Sequence, residues 1–119
     1  MKLDHIVILV SDLPASLVFY GTLLPMIGFS KSRDHVFGNG EDIYLDIRQA
    51  DELDHPYRRH APELNHIGFT APTQDAVAQI RASMEEAGHP MPDIQNFGND
   101  IALFMKDPDG MRIEIAAYA

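Results

Sequence analysis

The chain contains no cysteine, which excludes disulfides, thiolate metal sites and cysteine nucleophiles. Basic residues are scarce: 9 Lys and Arg stand against 18 Asp and Glu, for a formal net charge of −9. That balance argues against nucleic acid and against anionic membrane surfaces as partners, and leaves a small-molecule substrate open. There is no apolar run long enough to span a membrane. There is also no G-x-G-x-x-G ahead of a helix, no phosphate loop and no G-x-S-x-G elbow, so dinucleotide use and serine hydrolysis lack support. Met1-Lys2 leads straight into a strand-like run reaching Asp12, with no cleavage-site pattern, and this reads as a cytoplasmic protein. At 119 residues, 45% hydrophobic and 23% charged, the chain has the composition of one ordinary globular domain that can bury its own core.

What is present is a repeat. Asp4-His5-Ile6-Val7 and Asn65-His66-Ile67-Gly68 carry one pattern, separated by about half the chain. Leu3–Val10 reads as a strand, with Ile6, Ile8 and Val10 on one face and His5, Val7 and Leu9 on the other. Ser11-Asp12 offers a helix cap and Pro14 suits the first turn. Leu13, Leu17, Tyr20, Leu24 and Ile27 recur at helical spacing, and Pro25 and Gly28 mark the helix end. Short strands are expected over 29–33, 35–38 and 42–48, with Gly38-Asn39-Gly40 turning into the last. Residues 50–63, with Pro56, Pro62 and many charges, read as a linker.

The pattern then recurs. Leu64–Ala71 reads as a strand, Thr73 as a cap, and Val77, Ile80, Met84 and Ala87 as a helical stripe that stops at Gly88. Strands are expected around 94–97, 100–106 and 111–117, and Asp107-Pro108-Asp109-Gly110 is the turn that makes a hairpin of the last two. The fold class is therefore α+β: two βαβββ modules, residues 1–49 and 64–119, closing around a shared cup in a single domain.

Candidate ligands fall out of strand parity. His5, His66 and Glu114 each alternate with isoleucines, so all three lie on the face away from the helices. A carboxylate among apolar neighbours is costly unless paired or bound to a metal. Two imidazoles and one carboxylate on separate strands form a set that holds a divalent ion and leaves sites open. The repeat adds a fourth member: Ile43-Tyr44-Leu45-Asp46-Ile47 aligns with Met111-Arg112-Ile113-Glu114-Ile115, which makes Asp46 the counterpart of Glu114. Asp46 either ligates or merely lines the cavity. Nitrogen and oxygen ligands without sulfur suit Fe(II), Mn(II), Ni(II), Co(II) or Zn(II). Tyr44, Arg48 and Arg112 share the cup-facing parity and are candidates to orient a substrate, although solvated rim positions fit them as well. His35, His55, His60 and His89 fall in turn or linker contexts and read as surface residues. At least one of Phe19 and Tyr20 reads as helix core.

The His5 strand with Val10-Ser11-Asp12-Leu13 and Phe19-Tyr20, the Asn65-His66-Ile67 strand, and Phe104 followed by Asp107-Pro108-Asp109-Gly110 and Ile113-Glu114 resemble the vicinal oxygen chelate superfamily. That group includes glyoxalase I, bleomycin-resistance proteins, fosfomycin-resistance transferases and extradiol dioxygenases. The resemblance spans nearly the whole chain, and the DPDG…IE ending is its most specific piece. It implies paired βαβββ modules, metal ligands at His5, His66 and Glu114 with Asp46 as a possible fourth, and a homodimer, with sites formed either within one chain or from modules of two. Asp46 departs from the more usual glutamate, and the chain is too short for the four-module dioxygenases.

The leading expectation is thus a metal-dependent lyase, isomerase or group-transfer enzyme, in which Glu114 or Asp46 also serves as general base. The competing ones are a metal-free protein that sequesters a small ligand in the same cup, and a member retained for dimeric interaction alone.

Overall fold

The strand–helix–three-strand order expected from the sequence is present twice. A computed structural model describes all of residues 1–119 and divides them into two compact units, Met1–Pro56 and Tyr57–Ala119. The first unit contains β1 (His5–Val10), α1 (Leu13–Met26), β2 (Ser30–Arg33), β3 (Val36–Gly38) and β4 (Tyr44–Gln49). The second contains β5 (His66–Thr70), α2 (Gln74–Glu86), β6 (Gln95–Phe97), β7 (Asp100–Lys106) and β8 (Arg112–Ala117). Neither helix is long and apolar enough to cross a membrane.

Each unit has one four-stranded mixed sheet, ordered β1-β4-β3-β2 in the first and β5-β8-β7-β6 in the second. In both, the first strand pairs in parallel with the last. β1 begins at His5 rather than Leu3 because its partner β4 begins at Tyr44, directly opposite. Asp12 caps α1 by accepting from Ala15 N at 3.1 Å, and Thr73 Oγ1 caps α2 by accepting from Ala76 N at 3.1 Å.

The buried face of α1 is rotated from the expected stripe. Ser16, Phe19, Tyr20, Leu23 and Leu24 are buried, whereas Leu13 and Leu17 are only half-buried. The two aromatic rings, in edge-to-face contact at 5.1 Å, take the centre of the interface and displace the smaller leucines to its margin. Pro25 lies inside the last turn rather than beyond it, where its missing N–H removes a single bond. The apolar face of the first sheet supplies Ile8, Val10, Phe37, Leu45 and Ile47 to this core. In the second unit Val77, Ile80 and Met84 of α2 are buried, as are Leu103, Met105, Ile113 and Ile115 of β7 and β8.

The hairpin turn between β7 and β8 is held by one side chain. Asp107 Oδ1 accepts from Asp109 N at 2.9 Å and Met111 N at 3.0 Å, and Gly110 takes φ +94°. Asp107 is 5% exposed. Asp107→Ala strands these buried amides and is expected to cost about 1–3 kcal/mol, read as a lower urea midpoint with unchanged slope.

Candidate metal centre

Residues directly opposite each other on adjacent strands project to one face of the sheet. In the first unit His5 is paired with Tyr44, Val7 with Asp46 and Leu9 with Arg48. In the second His66 is paired with Arg112 and Gly68 with Glu114. Asp46 and Glu114 therefore occupy matching positions, each opposite the residue two beyond a histidine. The face they share lies opposite the helix-facing Ile8, Leu45 and Ile47 in one unit and Ile113 and Ile115 in the other.

His66 and Glu114 are brought together. His66 Nε2 lies 3.9 Å from Glu114 Oε1, with the side chains 37% and 21% exposed. His66 Nδ1 lies 2.8 Å from Asn65 Oδ1. A carboxamide oxygen only accepts, so this contact assigns the proton to Nδ1 and leaves the Nε2 lone pair on the Glu114 side. The same Asn65 oxygen accepts from Arg112 Nη2 at 3.0 Å, while Asn65 Nδ2 donates to Arg59 O at 2.8 Å. The Tyr57 hydroxyl holds the backbone at this point, 2.6 Å from Leu64 O and 2.9 Å from Asn65 O. Burial, reinforced by the nearby Glu63 charge, raises the Tyr57 phenol above its ordinary value, so it remains a donor. Phe104 completes the surround: the His66 ring meets it edge-on at 5.9 Å and the Arg112 guanidinium lies 5.1 Å from its centroid. A Cβ at Gly68 would stand 3.0 Å from Glu114 Oε1, so a side chain there would press the Glu114 carboxylate to shift by a few tenths of an ångström.

His5 repeats the device. Its Nδ1 is 2.7 Å from Asp4 Oδ2, and its ring stacks on Tyr44 at 4.7 Å with 6° between planes. In both modules the residue before the histidine is a short acceptor that takes the Nδ1 proton and leaves the lone pair on Nε2. Such outer partners orient a metal-ligating imidazole and raise its basicity.

Asp46 differs from Glu114 in freedom, not position. Its Oδ1 is 2.6 Å from His35 Nδ1, and its Oδ2 is 2.7 Å from Arg48 Nε and 2.6 Å from Arg48 Nη2. The residue is 2% exposed. Burial alone pushes its carboxyl up, but the hydrogen bonds and charges of Arg48 and His35 together outweigh it and hold the group below its usual range. With both oxygens engaged, Asp46 anchors Arg48 and His35. A folded value below the unfolded one means that the clasp contributes stability above the unfolded carboxyl value, about pH 3.9, and loses it as pH falls through the folded value. Asp46→Asn is expected to flatten that part of the acid-unfolding curve, followed by circular dichroism.

Within neither unit do three or more metal-ligating side chains form a group of their own. The donor kinds present, imidazole nitrogen and carboxylate oxygen, are those a divalent ion takes. His66 Nε2 and Glu114 Oε1 lie side by side with their outer partners in place, and His5 Nε2 has equivalent preparation in the first unit. Asn65→Ala removes the acceptor that fixes His66 and is expected to weaken metal affinity about 10–100-fold without unfolding, measured by competition with a chromogenic chelator. Asn65, Asp4 and Gly68 were not singled out by sequence reasoning, and neither was His35 as a partner of Asp46. The only signal for the first two is the shared acceptor-His-Ile spelling of β1 and β5.

Residues 2–115 match the sequence model of the Glyoxalase/Bleomycin resistance protein/Dioxygenase superfamily. The chain belongs to this superfamily. Among its relatives is the uncharacterized protein YqjT of Bacillus subtilis, 33% identical over 125 residues that cover 97% of this chain and 98% of YqjT. A crystal structure from Bacillus halodurans superposes with a TM-score of 0.86 at 26% identity, covering 98% of this chain and 96% of that one. The fosfomycin resistance protein FosX from Mesorhizobium loti superposes with a TM-score of 0.73 at 17% identity, covering 99% and 92%, and shares the fold. Membership of the superfamily accounts for the duplicated module and for the α+β class.

Proposed function

We propose that the chain is a divalent-metal-dependent enzyme of the glyoxalase-like type. Its substrate is a small molecule that meets the ion through two adjacent oxygens, and its ligands are His5, His66 and Glu114. The carrying observation is the 3.9 Å approach of His66 Nε2 and Glu114 Oε1 beneath an Nδ1 already held by Asn65. His5 completes the set from the first unit, either of the same chain or of a second copy in a homodimer working in the cytoplasm. A bound divalent ion supplies Lewis-acid polarisation of the substrate oxygens and leaves positions open for them.

The remaining chemistry belongs to side chains. Glu114, part-exposed and without a hydrogen-bonding partner as close as those of Asp46, is the base that takes a substrate proton. Asp46 is a poor base at neutral pH, since its proton affinity is lowered and both oxygens are occupied. Arg112, steered by Asn65 and Phe104, and Tyr44, stacked on His5, orient the substrate beside the ion. Val7 and Leu9, 39% and 63% exposed on the same face of β1, offer apolar contact to its carbon skeleton.

The test uses protein loaded with Mn(II) and followed by electron paramagnetic resonance. Acetohydroxamate, which presents two adjacent oxygens, is expected to change the spectrum saturably in the wild type and not in Glu114→Gln. A spectrum indifferent to the ligand, with small-molecule binding equal in metal-loaded and metal-free protein, would replace this reading with that of a sequestering protein.

A further inference from the structure

A second constellation lies wholly within the first unit. β3 starts only at Val36, opposite Asp46, so the end of β4 from Ile47 to Gln49 has no full strand along that edge. A groove of about 390 Å³ opens there, its lining including Leu13 at the start of α1, Arg33, His35, Asp46, Arg48 and Gln49. That volume is in the range of small-molecule sites.

Arg33 reaches this face through an irregularity. The β2–β3 pairing runs Ser30 with Gly38 and Lys31 with Phe37, then shifts so that Arg33 meets Val36. Without the shift Ser32 would meet Val36, and Arg33 would project to the opposite side. With it, Arg33, Val36 and Asp46 stand in one row across the sheet. Bulges of this kind re-aim a side chain and are over-represented beside functional sites.

The groove also carries the wrong charge for an idle surface on a chain of net charge −9. Two guanidinium groups and an imidazole line it beside a single carboxylate, Asp46, which Arg48 and His35 already pair. Arg33 is exposed, and its side chain has no ion pair or hydrogen bond. His35 is 40% exposed and donates Nδ1 to Asp46, which leaves Nε2 for another partner. The first-turn amides of α1 are not available as donors, because Gln49 Oε1 takes Leu13 N and Asp12 takes Ala15 N and Ser16 N. What the groove offers is therefore guanidinium and imidazole.

We propose that this groove binds a small molecule through a carboxylate or phosphate group, held by Arg33 and by His35 Nε2, with the Asp46 clasp fixing His35 and Arg48 in place. Arginine forks match both oxyanions in geometry. The groove shares the first sheet's face with His5 through Asp46 and Arg48, but its proposed contacts, Arg33 and His35, are not among the proposed metal ligands.

The experiment is an amide-shift titration of metal-free protein, dialysed clear of chelator, with inorganic phosphate in one arm and propionate in the other. Saturable shifts confined to residues 33–35 and 46–49 are expected in at least one arm, and the tighter arm names the head group. Arg33→Gln, an exposed position, should weaken binding about tenfold or more while leaving the other amide resonances in place. His66→Ala should leave it unchanged. Shifts that do not saturate in either arm, that fall elsewhere, or that persist undiminished in Arg33→Gln would overturn the proposal.

Discussion

His66→Ala and Glu114→Gln are each expected to abolish stoichiometric binding of a divalent metal, with affinity falling by more than about 100-fold, and to leave the fold intact. The magnitude follows from direct ligation: loss of a group that merely orients a ligand costs about 10–100-fold, and loss of the ligand itself costs more. The survival of the fold follows from burial. His66 and Glu114 are 37% and 21% exposed at their side chains and lie on the sheet face away from α2. Neither belongs to the buried set formed by Val77, Ile80, Met84 and Leu103. Elemental analysis of each variant, beside its thermal unfolding curve, separates the two effects. Full metal occupancy in both variants would remove His66 and Glu114 from the ligand set.

Leu103→Ala is expected to do the reverse. Leu103 is fully buried on β7, paired with Ile115 of β8, on the face that packs against α2. Cutting it back removes transfer energy and leaves a cavity, together costing about 2–5 kcal/mol. Total stability for a domain of this size is of order 5–15 kcal/mol, so this is a large fraction of it. Urea unfolding should show a lower midpoint, while the folded fraction still binds metal at wild-type affinity. A midpoint within error of the wild type would mean that the β7–α2 layer is not the core of the second unit.

Much of this architecture was legible before any coordinates, because strand parity and helix caps are local signals. The pairing of Asp46 with Glu114 across the repeat follows from two pentapeptides with the same alternation, and the register places them at equivalent positions. Asp12, Thr73 and the Asp107 turn are likewise short-range devices, and each is found where its residues suggested. The stripe of α1 was displaced because spacing alone does not decide between adjacent faces; the volume of Phe19 and Tyr20 does. The fate of Asp46 was not legible at all. His35 reaches it from a turn eleven residues earlier, just before β3 begins at Val36. Arg33 was hidden for a related reason. Regular alternation places it on the other face, and only the shift after Lys31 turns it toward Asp46. Asn65 sat inside the quoted motif, but its bonds to His66, Arg112 and Arg59 join segments that sequence spacing does not connect.

The central claim is that His5, His66 and Glu114 hold one divalent ion. It is tested most directly by the metal content of protein purified without chelator or affinity-tag histidines, then reconstituted in turn with Ni(II), Mn(II), Fe(II), Co(II) and Zn(II). About one tightly held ion per chain is expected for at least one of these metals. Wild-type protein that retains no ion after any of the five incubations would contradict it.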